Sequence, residues 1–302
     1  MNDNPIKLEG WRYKFRLNLP LEVKVGMTMN RIRQWQKSWW DKTYVSFSGG
    51  KDSTVLLDMV RSEFKDTPAL FVDTGLEFPE IRQFVKEFSN VVCVKPKRSF
   101  KEVIETVGYP VISKMVSMAI NRYRNTSDPR QKELRKWGGI NPTSGKKQTT
   151  GVIPQKYHYL IDAPFKISEA CCDFLKKRPY KKFDRESGLA PYVGMMAEDS
   201  NMRRSQYFKR GCNQYTKYPK SNPMSFWTEK DIWEYIKTRD LKYSEIYDMG
   251  YDRTGCIFCL FGKNLERRFN LLYETHRKQH DFCMGSLKIG EVLTFLKENG
   301  NG

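Results

Sequence analysis

Apolar residues recur at helical spacing at Met29, Ile32, Trp35 and Trp39, which predicts an amphipathic helix over about residues 28–40, its tryptophans packed against the next domain. A short β-prone run, Thr43–Phe47, leads directly into Ser48-Gly49-Gly50-Lys51-Asp52-Ser53, after which Val55, Leu56, Met59 and Val60 mark a second helix. Ala69–Asp73 reads as a buried strand, 79–88 as a helix and Val91–Val94 as a third strand with Cys93 in the core. This β-α-β-α-β order predicts an α/β fold with a doubly wound, mostly parallel sheet. Ser113–Arg124 is helical in pattern, but 125–150 mixes Pro, Gly, Ser and basic residues around few apolar anchors, so about 113–150 is expected to be a basic insertion or flap. Glu266–Arg277 and Leu287–Lys297 predict two closing amphipathic helices. The expected organisation is a helical segment at 1–40, a central domain at 41–262 and a helical segment at 263–302.

Composition adds a core and a charge. A hydrophobic fraction of 39%, with 14% aromatic, is enough to exclude a mostly disordered chain of 302 residues. The net charge of +18 is concentrated: 95–147 carries 13 basic against 4 acidic groups and 171–220 carries 12 against 5. Those segments suit a polyanion, and nucleic acid is the expected partner. In the insertion, Arg122, Arg124, Arg130, Lys132, Arg135, Lys136, Lys146 and Lys147 are spaced to follow a phosphate backbone rather than to read bases. No apolar run approaches the roughly 18 residues that span a membrane, and the amino terminus has no apolar signal region, so a cytoplasmic, non-membrane protein is expected. Seven cysteines argue against a disulfide framework.

The Ser48–Ser53 turn falls at the carboxyl end of the first strand, where open α/β sheets bind ligands. Two glycines let backbone N–H groups approach an anion, the following helix points its positive end there, and Lys51 adds a cation. Walker A spacing is absent. The loop resembles that of the PP-loop ATP pyrophosphatase superfamily, and Asp73-Thr74-Gly75-Leu76-Glu77-Phe78-Pro79-Glu80 is similar to a stretch of the sulfonucleotide (PAPS and APS) reductases.

Cys171-Cys172 and Cys256-x-x-Cys259 form the second constellation. A Cys-x-x-Cys turn aims two thiolates at one centre, whereas the side chains of an adjacent pair are expected to diverge, which is unusual for structural zinc. An iron–sulfur cluster, a zinc site and buried thiols compete as readings. The four cysteines resemble the 4Fe–4S ligand set of APS reductases and of the ATP-pyrophosphatase component of DNA phosphorothioation systems. Trp227–Ile236 and Tyr247–Cys259 extend that resemblance over roughly residues 40–262.

The resemblance implies an adenine nucleotide alpha-hydrolase-like fold, binding of ATP with Mg²⁺, and cleavage to AMP and pyrophosphate. It implies Lys51, Asp52 and Ser53 as catalytic residues. Phe47, Ser48, Gly49, Gly50, Asp73, Thr74, Gly75, Gly194 and Arg203 join them around the nucleotide. It implies Cys171, Cys172, Cys256 and Cys259 as ligands of a 4Fe–4S cluster, with zinc as the alternative. A sulfur donor such as a cysteine desulfurase, and a homo-oligomer, complete the expected partners.

Two departures shape the functional expectation. Sulfonucleotide reductases carry a terminal Glu-Cys-Gly-x-His segment, whereas Cys283 lies in Asp281-Phe282-Cys283-Met284-Gly285-Ser286 with His276 and His280 upstream. Cys283 is therefore expected to be a packed helix cysteine, and the two histidines an exposed polar face. The family pattern also has an arginine two residues after Gly194, where Met196 stands here, leaving Arg203 and Arg204 as candidate phosphate contacts. The leading expectation is an ATP pyrophosphatase that activates a substrate, nucleic acid by preference, for sulfur incorporation. An APS or PAPS reductase is the alternative, followed by a non-catalytic nucleic-acid-binding module.

Overall fold

A computed structural model describes residues 9–140, 145–148, 150–262 and 264–300; parts of the expected N-terminal segment, insertion and C-terminal segment lie outside them. The chain opens with helices α1 (Gly10–Leu17) and α2 (Leu21–Ser38). There follow β1 (Thr43–Ser46), α3 (Lys51–Arg61), β2 (Ala69–Val72), α4 (Pro79–Lys86) and β3 (Val91–Val94). Helices α5 (Phe100–Val107), α6 (Lys114–Asn125) and α7 (Pro129–Trp137) lead to a small hairpin, β4 (Gly139–Ile140) with β5 (Lys147–Gln148). Then come α8 (Arg178–Ser187), β6 (Ala190–Val193), α9 (Asn201–Arg210), β7 (Asn213–Gln214), β8 (Lys220–Ser221) and α10 (Glu229–Thr238). Helices α11 (Leu265–Thr275), α12 (Arg277–Met284) and α13 (Ile289–Asn299) end the described chain.

Two compact units divide these elements. The first comprises 1–73, 77–95 and 179–254, and the second 74–76, 96–178 and 255–302. The N-terminal helices α1 and α2 belong with the sheet, and α6 and α7 with the C-terminal helices.

The first unit holds a six-stranded sheet in the order β3-β2-β1-β6-β8-β7, parallel throughout except for β7. Order reverses between β1 and β6, because β1 runs on to β2 and β3 on one side while β6 lies on the other. That switch point opens a crevice at the carboxyl ends of the two strands. Its floor is apolar: Val45, Phe47, Val55, Leu56, Val60, Leu70 and Tyr192 are fully buried. The α2 helix begins seven residues earlier than its apolar spacing suggests, directly after Pro20, and it buries Ile32 and Trp35. Cys93 corrects an expectation: it is exposed, since β3 pairs with β2 alone and forms the sheet edge.

In the second unit, Ser99 and Glu102 form a reciprocal capping box at the start of α5. Three helices, not two, close the chain, with α12 between the expected pair. Helix α6 is tied to the segment that follows the insertion by Arg124, whose guanidinium donates to the carbonyls of Leu160, Ile161, Ala163 and Phe165 at 2.6–2.9 Å. Arg124 thus holds its own chain, which corrects its expected place along a phosphate track.

Candidate functional site

The crevice of the first unit is built where β1 ends. Ser48 N–H donates to Ser53 Oγ at 3.1 Å and Ser53 Oγ donates to the Gly50 carbonyl at 2.8 Å, which folds the turn onto the first residues of α3. Gly50 has no room for a side chain, since a Cβ there would lie 2.5 Å from Thr254 Oγ1. Gly194, just past β6, is needed for the same kind of reason: a Cβ would stand 3.0 Å from the Asp52 carbonyl oxygen and 3.2 Å from the Ser53 nitrogen. The two strands at the switch point therefore bring Gly194 against the amino end of α3. Such an end presents unpaired N–H groups and a partial positive charge.

Lys51 is buried at 6% exposure, with its Nζ 3.0 Å from Glu229 Oε1 and donating to the Asp252 carbonyl at 3.0 Å. The ammonium also lies 5.1 Å from the ring centroid of Tyr247 and 5.8 Å from that of Trp233. Tyr247 Oη accepts the Lys51 backbone N–H at 2.8 Å. Burial pushes the Asp52 carboxyl above its ordinary range, helped by Asp199 and Glu229 and opposed by Lys51 and Arg253. Its Oδ1 is buried without a hydrogen-bond partner, an orphaned acceptor whose chemistry suits Mg²⁺. Among the described residues, no three His, Cys, Asp or Glu side chains stand in metal-holding geometry.

The remaining candidates are placed variously. The ring of Phe47 is wholly buried, edge-on to Phe88 at 4.9 Å, so its side chain serves the core. Asp73, just past β2, pairs with Arg82 at 2.5 Å. Thr74 and Gly75 belong to the second unit, where Thr74 Oγ1 accepts the Leu76 N–H at 3.2 Å. Arg203 is ion-paired with Asp199, whose other oxygen faces Arg253 at 3.6 Å. Met196, standing where the family pattern has arginine, is buried at 3% exposure. Glu229, Trp233, Tyr247, Asp252 and Thr254 around the loop were not singled out from the sequence. They lie some 180–200 residues from Lys51, in the Trp227–Ile236 and Tyr247–Cys259 stretches that carried only the family resemblance.

The second unit gathers the four cysteines. The Cys171 thiol hydrogen-bonds Cys172, which with burial drives Cys171 far above its ordinary range. Cys172 is correspondingly lowered to about 6 by that bond, with Lys114 and Lys176 adding to the effect. The charge fields of Cys256 and Cys259 reach Cys171, and burial raises Cys259. Cys259 N–H closes a turn on the Cys256 carbonyl at 3.2 Å. The adjacent pair opens directly into a π-helical turn, Asp173–Lys177. The chemistry of the four thiols, with Lys114, Lys176 and Arg268 nearby, suits an iron–sulfur cluster or zinc, but among the described residues they do not stand in metal-holding geometry.

Cys283 is fully buried in α12, its thiol donating to the His280 carbonyl at 3.1 Å, and burial pushes it up to about 12. His276 is buried at the α11–α12 junction, so the two histidines do not form the exposed polar face expected of them.

A switch-point crevice with a glycine turn, a helix amino end and a buried lysine defines a nucleotide-binding α/β protein. The phosphoadenosine phosphosulfate reductase domain family matches the chain over residues 42–137 and 89–260, and the chain belongs to that family. An uncharacterized protein of Methanocaldococcus jannaschii is 26% identical over 247 residues, covering 79% of this chain and 47% of its own length. A second protein of that organism is also 26% identical and covered over 44%, so the chain spans about half of these relatives. The adenosine 5′-phosphosulfate reductase of Staphylococcus saprophyticus is 24% identical over 226 residues, with 72% and 71% covered. Among solved structures, phosphoadenylyl-sulfate reductase of Candida auris aligns with TM-score 0.44 and 16% identity over 83% of this chain and 97% of its own. The U34-tRNA thiolase of Methanococcus maripaludis with its [4Fe-4S] cluster aligns with TM-score 0.39 and 14% identity over 93% and 81%. No helix among the described residues is long and apolar enough to cross a membrane.

Proposed function

We propose that this chain is an ATP pyrophosphatase of the PP-loop type, which activates a substrate, a nucleic acid, for sulfur incorporation. The observation that carries this reading is the Ser48–Ser53 turn folded onto the amino end of α3 with Lys51 buried beside it. Backbone N–H groups of the turn and of α3 would bind the β and γ phosphates, and Lys51 would offset charge as pyrophosphate leaves. A substrate oxygen attacks the α-phosphorus and the bond to the β-phosphate breaks. A sulfur nucleophile from a donor such as a cysteine desulfurase then displaces AMP. Asp52 would take Mg²⁺ through its unpartnered Oδ1. Cys171, Cys172, Cys256 and Cys259 would hold a 4Fe–4S cluster, which when bound supplies sulfur handling to the reaction or braces the second unit.

Reductase relatives at 24% identity favour a second reading, sulfite release from a sulfonucleotide. The buried, high-pKa Cys283 argues against it, because an attacking thiolate must be formed and reachable. Anaerobically purified protein is expected to release pyrophosphate from ATP. Lys51→Ala should lower the rate ~100-fold or more, the scale of losing one transition-state donor, while Cys283→Ser should leave it intact. Protein that neither binds nor cleaves ATP, with or without DNA and RNA, overturns the proposal. Thioredoxin-dependent sulfite release, lost in Cys283→Ser, would install the reductase instead.

A further inference from the structure

The first unit carries a basic and aromatic surface that extends beyond the matched family domain. Helix α1 precedes residue 42, where the family match begins. It has three cations, Arg12, Lys14 and Arg16, and no acidic residue. One face is fixed: Tyr13 packs edge-on to Tyr207 and Phe208 of α9 at 5.9 and 5.3 Å, and Arg16 donates to Tyr207 Oη at 2.7 Å. The other face is exposed, with Trp11 Nε1 donating to Glu9 Oε2 at 2.6 Å and the Arg12 guanidinium 5.3 Å from the Trp11 ring centroid. Trp11 and Phe15, four residues apart and so on one side of the helix, are each 62% exposed.

The surface continues from α9. Residues 201–220 hold six cations and no acidic residue. Lys220 sits in the field of Arg203 and Arg210, which with burial lowers its affinity for a proton. The turn between β7 and β8 presents Tyr218, 67% exposed, whose ring receives Lys181 and Lys217 at 5.8 and 5.9 Å. Tyr215, on the same turn, is 60% exposed.

We infer that this surface of α1, α9 and the β7–β8 turn binds single-stranded nucleic acid, with the cations following phosphates and the exposed rings stacking on bases. The inference rests on the nucleic-acid substrate proposed above and gives it a strand type and a docking face. Glu9 pairs with Arg12 and Asp199 with Arg203, but the cations still outnumber these acids, and such an excess complements a polyanion. Open ring faces interleaved with cations serve unpaired bases, since a duplex keeps its base faces internal. The aromatics are spread over separate elements among cations, rather than gathered into the continuous apolar face by which an amphipathic helix enters a lipid surface.

Fluorescence anisotropy tests it with the full chain, fluorescein-labelled 20-nucleotide oligo(dT) and oligo(U), a 20-base-pair duplex, and vesicles of phosphatidylserine and phosphatidylcholine. Both single strands should bind more tightly than the duplex, and vesicles weakly. Trp11→Ala/Phe15→Ala and, separately, Tyr218→Ala should each weaken single-strand binding about tenfold. Melting temperature should be unchanged, because these rings are exposed. Equal binding of wild type and both variants overturns the docking face while leaving a nucleic-acid substrate standing. No binding of either oligonucleotide by wild type removes both. A preference for duplex or vesicles overturns the strand type or the partner.

Discussion

Tyr247 occupies the position that a phosphate oxygen would want. Its hydroxyl accepts the first N–H of α3 at 2.8 Å, and its ring lies against the Lys51 ammonium. A nucleotide using that N–H must displace the phenol. Tyr247→Phe keeps the ring and frees the donor, and one neutral hydrogen bond is worth ~1 kcal/mol. The variant is therefore expected to bind ATP about fivefold more tightly by calorimetry. Weaker binding would instead make the phenol a ligand of the nucleotide. The contrast between Tyr247 and Lys51 shows what sequence could reveal at this scale. Ser48–Ser53 was legible because strand, glycine turn and helix are contiguous, so one local pattern specifies the turn proposed above to bind phosphate. Tyr247, Asp252 and Glu229 reach the same lysine from far along the chain. Nothing local to them speaks of phosphate.

Elements long enough to show a period were readable, and the others were not. Helices α3, α4 and α6 bury the apolar faces that their spacing announced. Strands β7 and β8 have two residues each, too few for any alternation. Period also cannot tell an edge from a centre, which is why Cys93 came out exposed on β3. Burial of charge was equally hidden. Lys24 of α2 is 1% exposed, with its Nζ 2.6 Å from Asp231 Oδ2 and donating to the Leu17 carbonyl at 2.7 Å. Asp231 also accepts from Thr228 N–H and Oγ in the capping box that starts α10. This pair ties the α2 helix to the cap of α10. Lys24→Ala would leave the carboxylate buried without its cation, a change of about 3–5 kcal/mol. Chemical denaturation is expected to show that loss, and a shift below about 1 kcal/mol would mean that the carboxylate finds another partner or solvent.

At the scale of the whole molecule, an excess of +18 can serve as a solvated face or as a track for a polyanion. Both expected basic segments contribute, but their side chains are not equivalent. In the second unit Arg124 is committed to four carbonyls, and the Arg135 guanidinium is partly buried with its Nε unpartnered. In the first unit, 201–220 and α1 together place nine cations in stretches that contain no acidic residue. Counterion release separates the readings. If about five of these cations meet phosphates of a single strand, the slope of log affinity against log salt is about −3.5, and binding falls ~100-fold between 50 and 200 mM KCl. A solvated face gives a slope near zero. Arg204→Gln/Arg210→Gln should reduce the slope by about 1.4, and Lys132→Gln/Lys136→Gln in α7 by less. The reverse ranking would assign the phosphate contacts to the second unit, and with them the approach of the nucleic acid.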